Sequence, residues 1–208
     1  MTSYVSEIAQ RKTVCSYPRV LTAIHWLVGG VFRLRGWRFQ MPAPAPRKYV
    51  MVVAPHTSNW DFFLMVALGA ALGRQVRFMG KHSLFLGPLG SLLRWLGGIA
   101  VERTSRHNFV EHMVEQFHNT DDMVLIIAPE GTRKAVERWK GGFYHIAAGA
   151  GVPIVPVYLD YAGKRVGFAS PCMPTGDMDA DMVDIQQCYE RVTARHPAGD
   201  SSHPNKGR

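Results

Sequence analysis

Short apolar runs alternate along the chain with longer segments in which apolar and polar positions mix at helical spacing. Strands are predicted over residues 37–40, 49–54, 76–80, 99–101, 123–128, 154–161 and 165–169. Helices are predicted over 20–32, 61–72, 89–96, 108–118, 142–149 and 181–194. Strands alternating with helices in this way predict an α/β fold, a mostly parallel central sheet flanked by helices. Ligands of such sheets gather beyond the carboxyl ends of the strands. Ahead of the α/β body lies a basic amphipathic N-terminal helical segment, which a proline-rich stretch, Met41-Pro42-Ala43-Pro44-Ala45-Pro46, separates from it. The expected organisation is therefore residues 1–46 as a membrane-facing segment with its linker, 47–196 as the main domain, and 197–208 as a flexible tail. The tail is inferred from its Ser, Gly, Pro and charge content.

Two strand ends carry the candidate chemistry. Pro55-His56-Thr57-Ser58-Asn59-Trp60-Asp61 follows the strand at 49–54, and Pro129-Glu130-Gly131-Thr132-Arg133 follows the strand at 123–128. An alcohol is a poor nucleophile near neutral pH, and a nearby imidazole suits its deprotonation because histidine is ordinarily near half-titration around pH 6.5. A carboxylate on the other ring nitrogen would fix the tautomer and stabilise the imidazolium. His56 on a strand-to-helix turn and Asp61 on the first helical turn meet that geometry. Ser58-x-x-Asp61 also fits a capping box, so Asp61 equally suits a helix start, and the two roles are compatible. Gly131 permits a tight turn with close backbone approach, and Arg133 offers bidentate contacts to an anion. An ordinary turn with a surface ion pair would have the same sequence.

Composition narrows the partners. The formal net charge is +8 and the sequence pI is near 9.7, which favours polyanions: nucleic acid, an anionic membrane surface, or a phosphorylated or coenzyme-bearing substrate. Neither zinc-finger spacing nor an RNP-like strand nor a helix-turn-helix is present, so no nucleic-acid partner is expected. Arg11, Lys12, Arg19, Arg33, Arg35, Arg38, Arg47 and Lys48 flank the apolar stretch at 20–32, an arrangement that fits anionic lipid. A solvated basic helix face is the alternative. Each apolar run is interrupted well before the ~20 residues a membrane span needs. The start of the chain lacks the basic, apolar pattern of a secretory signal. A peripheral protein on the cytoplasmic face of a membrane is expected. Cys15, Cys172 and Cys188 are scattered without C-x-x-C spacing, which argues against a thiolate metal site. His107, His112 and His118 do not share one helix face.

Taken together, the H-x-x-x-x-D spacing of His56 and Asp61 and the Glu130-Gly131-Thr132-Arg133 block resemble the glycerolipid acyltransferases. The resemblance continues in the family's order over roughly residues 50–161. Gly80-Lys81-His82-Ser83-Leu84-Phe85 matches a lysine-bearing stretch, and Gly97-Gly98-Ile99-Ala100-Val101-Glu102-Arg103 matches a G-x-x-F-I-x-R block. Val152-Pro153-Ile154-Val155-Pro156-Val157 matches a proline-marked block, preceded by Trp139-Lys140-Gly141-Gly142-Phe143. Pro55 stands where many members carry asparagine, and Ala100 where an aromatic is usual; both bear on the substrate pocket more than on the base. What the resemblance implies is direct acyl transfer from acyl-CoA or acyl carrier protein to the hydroxyl of a lysophospholipid, typically 1-acylglycerol 3-phosphate, without a metal or cofactor. It makes His56 the general base and Asp61 its orienting partner. Arg133, Lys81 and Arg103 become candidate phosphate contacts, with Gly131 and Thr132 completing the turn. Glu130 is expected to orient Arg133 or an acceptor hydroxyl; the sequence does not identify the oxyanion donors, for which backbone amides near a motif turn are candidates. A non-phosphorylated lyso-lipid acceptor and a non-catalytic basic membrane-binding protein are the competing readings. A lipid hydrolase is disfavoured because no G-x-S-x-G elbow is present.

Overall fold

The structure is a computed structural model that describes residues 12–40, 46–101 and 106–201. Arg103 and the prolines at 42 and 44 lie outside the described residues, as do positions 202–208 of the expected tail. One seven-stranded sheet organises the chain, in the order β1-β7-β6-β2-β5-β3-β4. Its strands are β1 (Arg38–Phe39), β2 (Lys48–Ala54), β3 (Val76–Lys81), β4 (Gly98–Val101), β5 (Met123–Ile127), β6 (Ile154–Asp160) and β7 (Arg165–Phe168). Every pairing is parallel except β6 with β7. The helices are α1 (Pro18–Leu34), α2 (Trp60–Leu72), α3 (Pro88–Trp95), α4 (Arg106–His118), α5 (Gly142–Ala150) and α6 (Met178–Gln187).

Strand β2 explains why its sequence reads as an unbroken apolar run. Val50, Val52 and Ala54 face a core that includes Phe117 of α4, Ile146 of α5 and Tyr189. Tyr49, Met51 and Val53 face the opposite core, with Phe32 of α1 and Leu64 and Leu68 of α2. Successive side chains alternate between faces, so a strand covered on both sides has no polar positions left to mark its period.

Two boundaries differ from the sequence expectation. The N-terminal segment does not stand apart: Phe32 and Trp37 are buried in the second core, and β1 pairs with β7. The last helix begins and ends earlier than predicted. Asp177 caps it by accepting from the amide of Ala180 at 3.1 Å, which is a typical helix-start device. Beyond Gln187 the chain turns inward, because fully buried Tyr189 donates its hydroxyl to the carbonyl of Val52 at 2.8 Å. The following residues then run along the carboxyl edge of the sheet, where Tyr161 donates its amide to Thr193.

Candidate active site

Because β6, β2 and β5 are neighbours running in the same direction, their carboxyl ends open onto one edge. His56 follows β2, Glu130 follows β5 and Tyr161 follows β6, so three residues remote in sequence converge there. Helix α2 then carries Asp61 back toward His56. The imidazole Nδ1 lies 3.2 Å from Asp61 Oδ2, with the histidine side chain 16% exposed and the aspartate 0%. The contact is close, yet off the line that a hydrogen bond requires. Oδ2 already accepts the amides of Thr57 at 2.9 Å and Ser58 at 2.8 Å. Catalytic hydrogen bonds are often loose without substrate and tighten in the complex.

Asp61 fills the helix-start role and lies beside the imidazole. It ties down the loop that starts α2, while Ser58 Oγ accepts from the amide of Trp60 at 3.2 Å, and it faces the imidazole. The same bonds narrow the candidate oxyanion donors. The amides of Thr57 and Ser58 are committed to Asp61, and that of His56 donates to Glu130 Oε1 at 3.0 Å. None of these three is left to stabilise an oxyanion.

Glu130 also departs from expectation. It is 2% exposed and turned toward the His56 backbone, rather than outward to Arg133 or a bound hydroxyl. The physical reason is register: β2 and β5 pair directly, which brings the residues just past their ends within side-chain reach. Burial pushes its carboxyl up to about 7, against the amides of His56 and of Glu130 itself, which pull it down. Its second oxygen, Oε2, is buried without a hydrogen-bond partner.

This makes a pH prediction. Between the ordinary value of 4.5 and about 7 the folded protein binds the extra proton. The corresponding stability is fully present below pH 4.5 and is lost as pH rises through 7. Its size is on the order of 3 kcal/mol. Glu130→Gln keeps the acceptor for the His56 amide and removes the ionisation. It is expected to flatten the urea-unfolding stability between pH 4.5 and 7, and to exceed the native protein above pH 7. An unchanged slope would show that Glu130 does not titrate in this window.

The rest of the second block forms an exposed turn. Gly131 has φ +63°, and a Cβ there would lie 2.3 Å from the Nζ of Lys140. The positive φ favours glycine, while the lysine end can move aside. Thr132 Oγ1 accepts from the amide of Lys134 at 3.4 Å. Arg133 is exposed, and Lys81 is exposed at the end of β3, the neighbour of β5. Neither cation has an ion-pair partner among the described residues, so both remain open to an anion.

Sequence reasoning missed what closes this edge from outside. Residues 197–201 are ordered rather than frayed. Pro197–Gly199 forms a single 3-10 turn, and Ser201 is 2% exposed. The Ser201 hydroxyl accepts from the amide of Val136 at 2.9 Å, and its carbonyl accepts from Trp139 Nε1 at 2.8 Å. His196 donates its amide to Thr57 Oγ1 at 3.2 Å. Tyr161 donates its hydroxyl to Asp61 Oδ1. Its place at a strand's carboxyl end was the signal that could have revealed it, while nothing in the composition of 197–201 marks that segment as a clasp.

An α/β sheet with an imidazole–carboxylate pair and two exposed cations on its carboxyl edge defines the class of protein. A sequence model of the Acyltransferase family matches residues 36–160. The chain belongs to the acyltransferase family. The 1-acyl-sn-glycerol-3-phosphate acyltransferase of Haemophilus influenzae is 30% identical over 148 residues, covering 66% of this chain and 60% of that protein. The human 1-acyl-sn-glycerol-3-phosphate acyltransferase alpha is 30% identical over 192 residues, covering 83% and 65%. A lysophosphatidylcholine acyltransferase of Drosophila melanogaster is 33% identical over 157 residues, covering 72% and 28%. The chain thus spans less than two thirds of each of these relatives. The crystal structure of the 1-acyl-sn-glycerophosphate acyltransferase of Thermotoga maritima matches with a TM-score of 0.58 at 18% identity, over 93% of this chain and 90% of that one, a likeness of fold.

Proposed function

We propose that the protein transfers a fatty acyl group from an acyl thioester, on coenzyme A or acyl carrier protein, to the free hydroxyl of 1-acylglycerol 3-phosphate, giving phosphatidate. The observation that carries this reading is the approach of His56 to Asp61 beside the Glu130-Gly131-Thr132-Arg133 turn. With Nδ1 facing Asp61, Nε2 is the nitrogen that takes the hydroxyl proton. The alcohol oxygen attacks the thioester carbonyl, a tetrahedral oxyanion forms, and the carbon–sulfur bond breaks. The imidazolium returns its proton to the departing thiolate. Arg133 and Lys81 receive the acceptor phosphate, and Arg103 is assigned with them on the family resemblance. The amides of Thr132 and Arg133, uncommitted among the described residues, are the remaining backbone donors at this turn.

The test is an assay of purified protein with acyl-CoA and acyl carrier protein donors against lysophosphatidate, lysophosphatidylcholine and a non-phosphorylated lyso-lipid. Phosphatidate formation from lysophosphatidate at the highest kcat/KM is expected. Equal use of the non-phosphorylated acceptor would remove the phosphate assignment, and no transfer to any acceptor would leave a non-catalytic lipid-binding protein.

The acceptor and product both reside in bilayers, and no described helix is long and apolar enough to cross one. A peripheral approach is supported by Trp26 at 67%, Leu27 at 72% and Leu34 at 91% exposure on α1, beside exposed Arg33 and Arg35. Arg35 lies 5.8 Å from the ring of half-exposed Trp60, which carries this basic, apolar surface to within four residues of His56. Each cation near anionic lipid contributes about 1 kcal/mol and is screened by salt, whereas apolar insertion is not. The protein is expected to sediment with anionic vesicles at low salt and to be partly released at high salt. Replacing Trp26 and Leu27 with serine should abolish the salt-resistant fraction. A protein that ignores such vesicles at low salt does not dock by this surface.

A further inference from the structure

A fully buried carboxylate holds one orientation when both of its oxygens are filled, and Asp61 is filled from two directions. Oδ2 takes the amides of Thr57 and Ser58 and faces His56. Oδ1 takes the hydroxyl of Tyr161 at 2.5 Å, from a residue 100 positions away and outside the blocks that mark the family. Without that donor, Oδ1 would be a buried acceptor with no partner, and only the two amides on Oδ2 would restrain the carboxylate against rotation about its last bond.

Tyr161 is itself held on several sides. The Trp37 ring meets it edge-on, with centroids 4.9 Å apart and planes at 88°. Its amide is tied to Thr193. The Arg195 guanidinium lies 5.8 Å from its ring and 5.4 Å from that of Trp60. The phenol thus draws on β6, on the chain after α1, and on the segment that follows α6. Burial, and after it the bond to Asp61, hold its pKa well above the ordinary tyrosine value, so it stays a donor across the working range of pH. The charged or titratable groups around the carboxylate are His56 from the loop after β2, Tyr161 from the end of β6 and Arg195 from the C-terminal segment. Glu130 sits behind His56, on its amide.

We infer that Tyr161 is a positioning residue for the acyl transfer: its hydroxyl fixes the Asp61 carboxylate in the orientation that faces His56 and shares its negative charge. This rests on the proposed roles of His56 and Asp61. It acts through them and touches no reacting atom. A group that places another within a fraction of an ångström affects kcat by about 10- to 100-fold, and leaves substrate affinity alone.

Tyr161→Phe removes one oxygen and retains the ring contacts with Trp37 and Arg195. The expected result is a 10- to 100-fold fall in kcat, with both KM values within about twofold of native. The acid limb of kcat/KM should move to higher pH, because the carboxylate charge facing the imidazole is no longer shared with the phenol. In a His56→Ala background the same substitution should cost nothing further, since residues acting as one unit are not additive. Monofluorotyrosine incorporated at position 161, a stronger donor of nearly the same size, should move the acid limb the other way and does not depend on the phenylalanine variant folding. Native kcat in Tyr161→Phe, a full additional loss in the His56→Ala background, or an acid limb unmoved by both replacements would overturn the inference. Full activity of His56→Ala would instead defeat the dyad itself, so the two failures are distinct.

Discussion

His56→Ala is expected to lower kcat by about 100- to 10,000-fold while leaving the protein folded, the range that general-base catalysis ordinarily contributes. The structure makes this substitution a clean one. The imidazole is partly exposed, and its approach to Asp61 is loose, so little stability depends on it. The bonds that fix the loop run through the main chain and survive: the His56 amide to Glu130, and those of Thr57 and Ser58 to Asp61. Asp61→Asn is expected to be as severe for turnover but to disturb the fold as well. Two amides and a phenol all donate to the carboxylate, and an asparagine amide group would set one donor against another. An unmet buried partner costs roughly 1–3 kcal/mol. Steady-state kinetics on both variants, with thermal unfolding alongside, separates the effects. Brisk acyl transfer by folded His56→Ala protein would sink the mechanism.

That contrast shows how the sequence and the structure divide the information. The strands and the first five helices were legible because apolar runs and helical spacing are local properties. The fall of His56 and Glu130 at strand ends followed from them. Local pattern does not carry strand order. That β6, β2 and β5 lie side by side is decided by packing among all the strands, and it alone brings Glu130 to the back of His56 across 74 positions and Tyr161 to the front of Asp61 across 100. Motif reading therefore gave Glu130 an outward role that its environment denies. It also passed over Tyr161, which no short spacing ties to its partner. The N-terminal segment shows the same limit of local pattern. Its cations, apolar face and proline linker set it apart as a membrane-facing segment, yet Phe32 and Trp37 belong to the core, and Trp37 supports Tyr161. Removing residues 1–40 would thus damage the site as well as any lipid contact, and surface substitutions on α1 are the sound test of docking.

The largest effect that composition would not foresee belongs to the end of the described chain. Residues 197–201 look like a polar, glycine- and proline-bearing tail, for which removal should be harmless. In the structure they clasp the second block from outside. Ser201 supplies acceptors to the amide of Val136 and to the indole of Trp139, which is itself buried. A Cβ on Gly199 would lie 2.8 Å from the carbonyl of Arg133, which shows how tightly the segment lies on that turn. Deleting residues 197–208 leaves both donors without their partners, at roughly 1–3 kcal/mol each. For a chain of this size each kcal/mol lowers Tm by about 2–4 °C, so a fall on the order of 10 °C is expected. The segment from Arg133 to Trp139 then loses its outer support, and misplacing Arg133, the proposed phosphate contact, is expected to lower turnover by about 10-fold or more. Thermal unfolding and kcat/KM for lysophosphatidate measure the two consequences together. A truncated protein with native Tm and native kcat/KM would return these residues to the passive tail that their composition suggests.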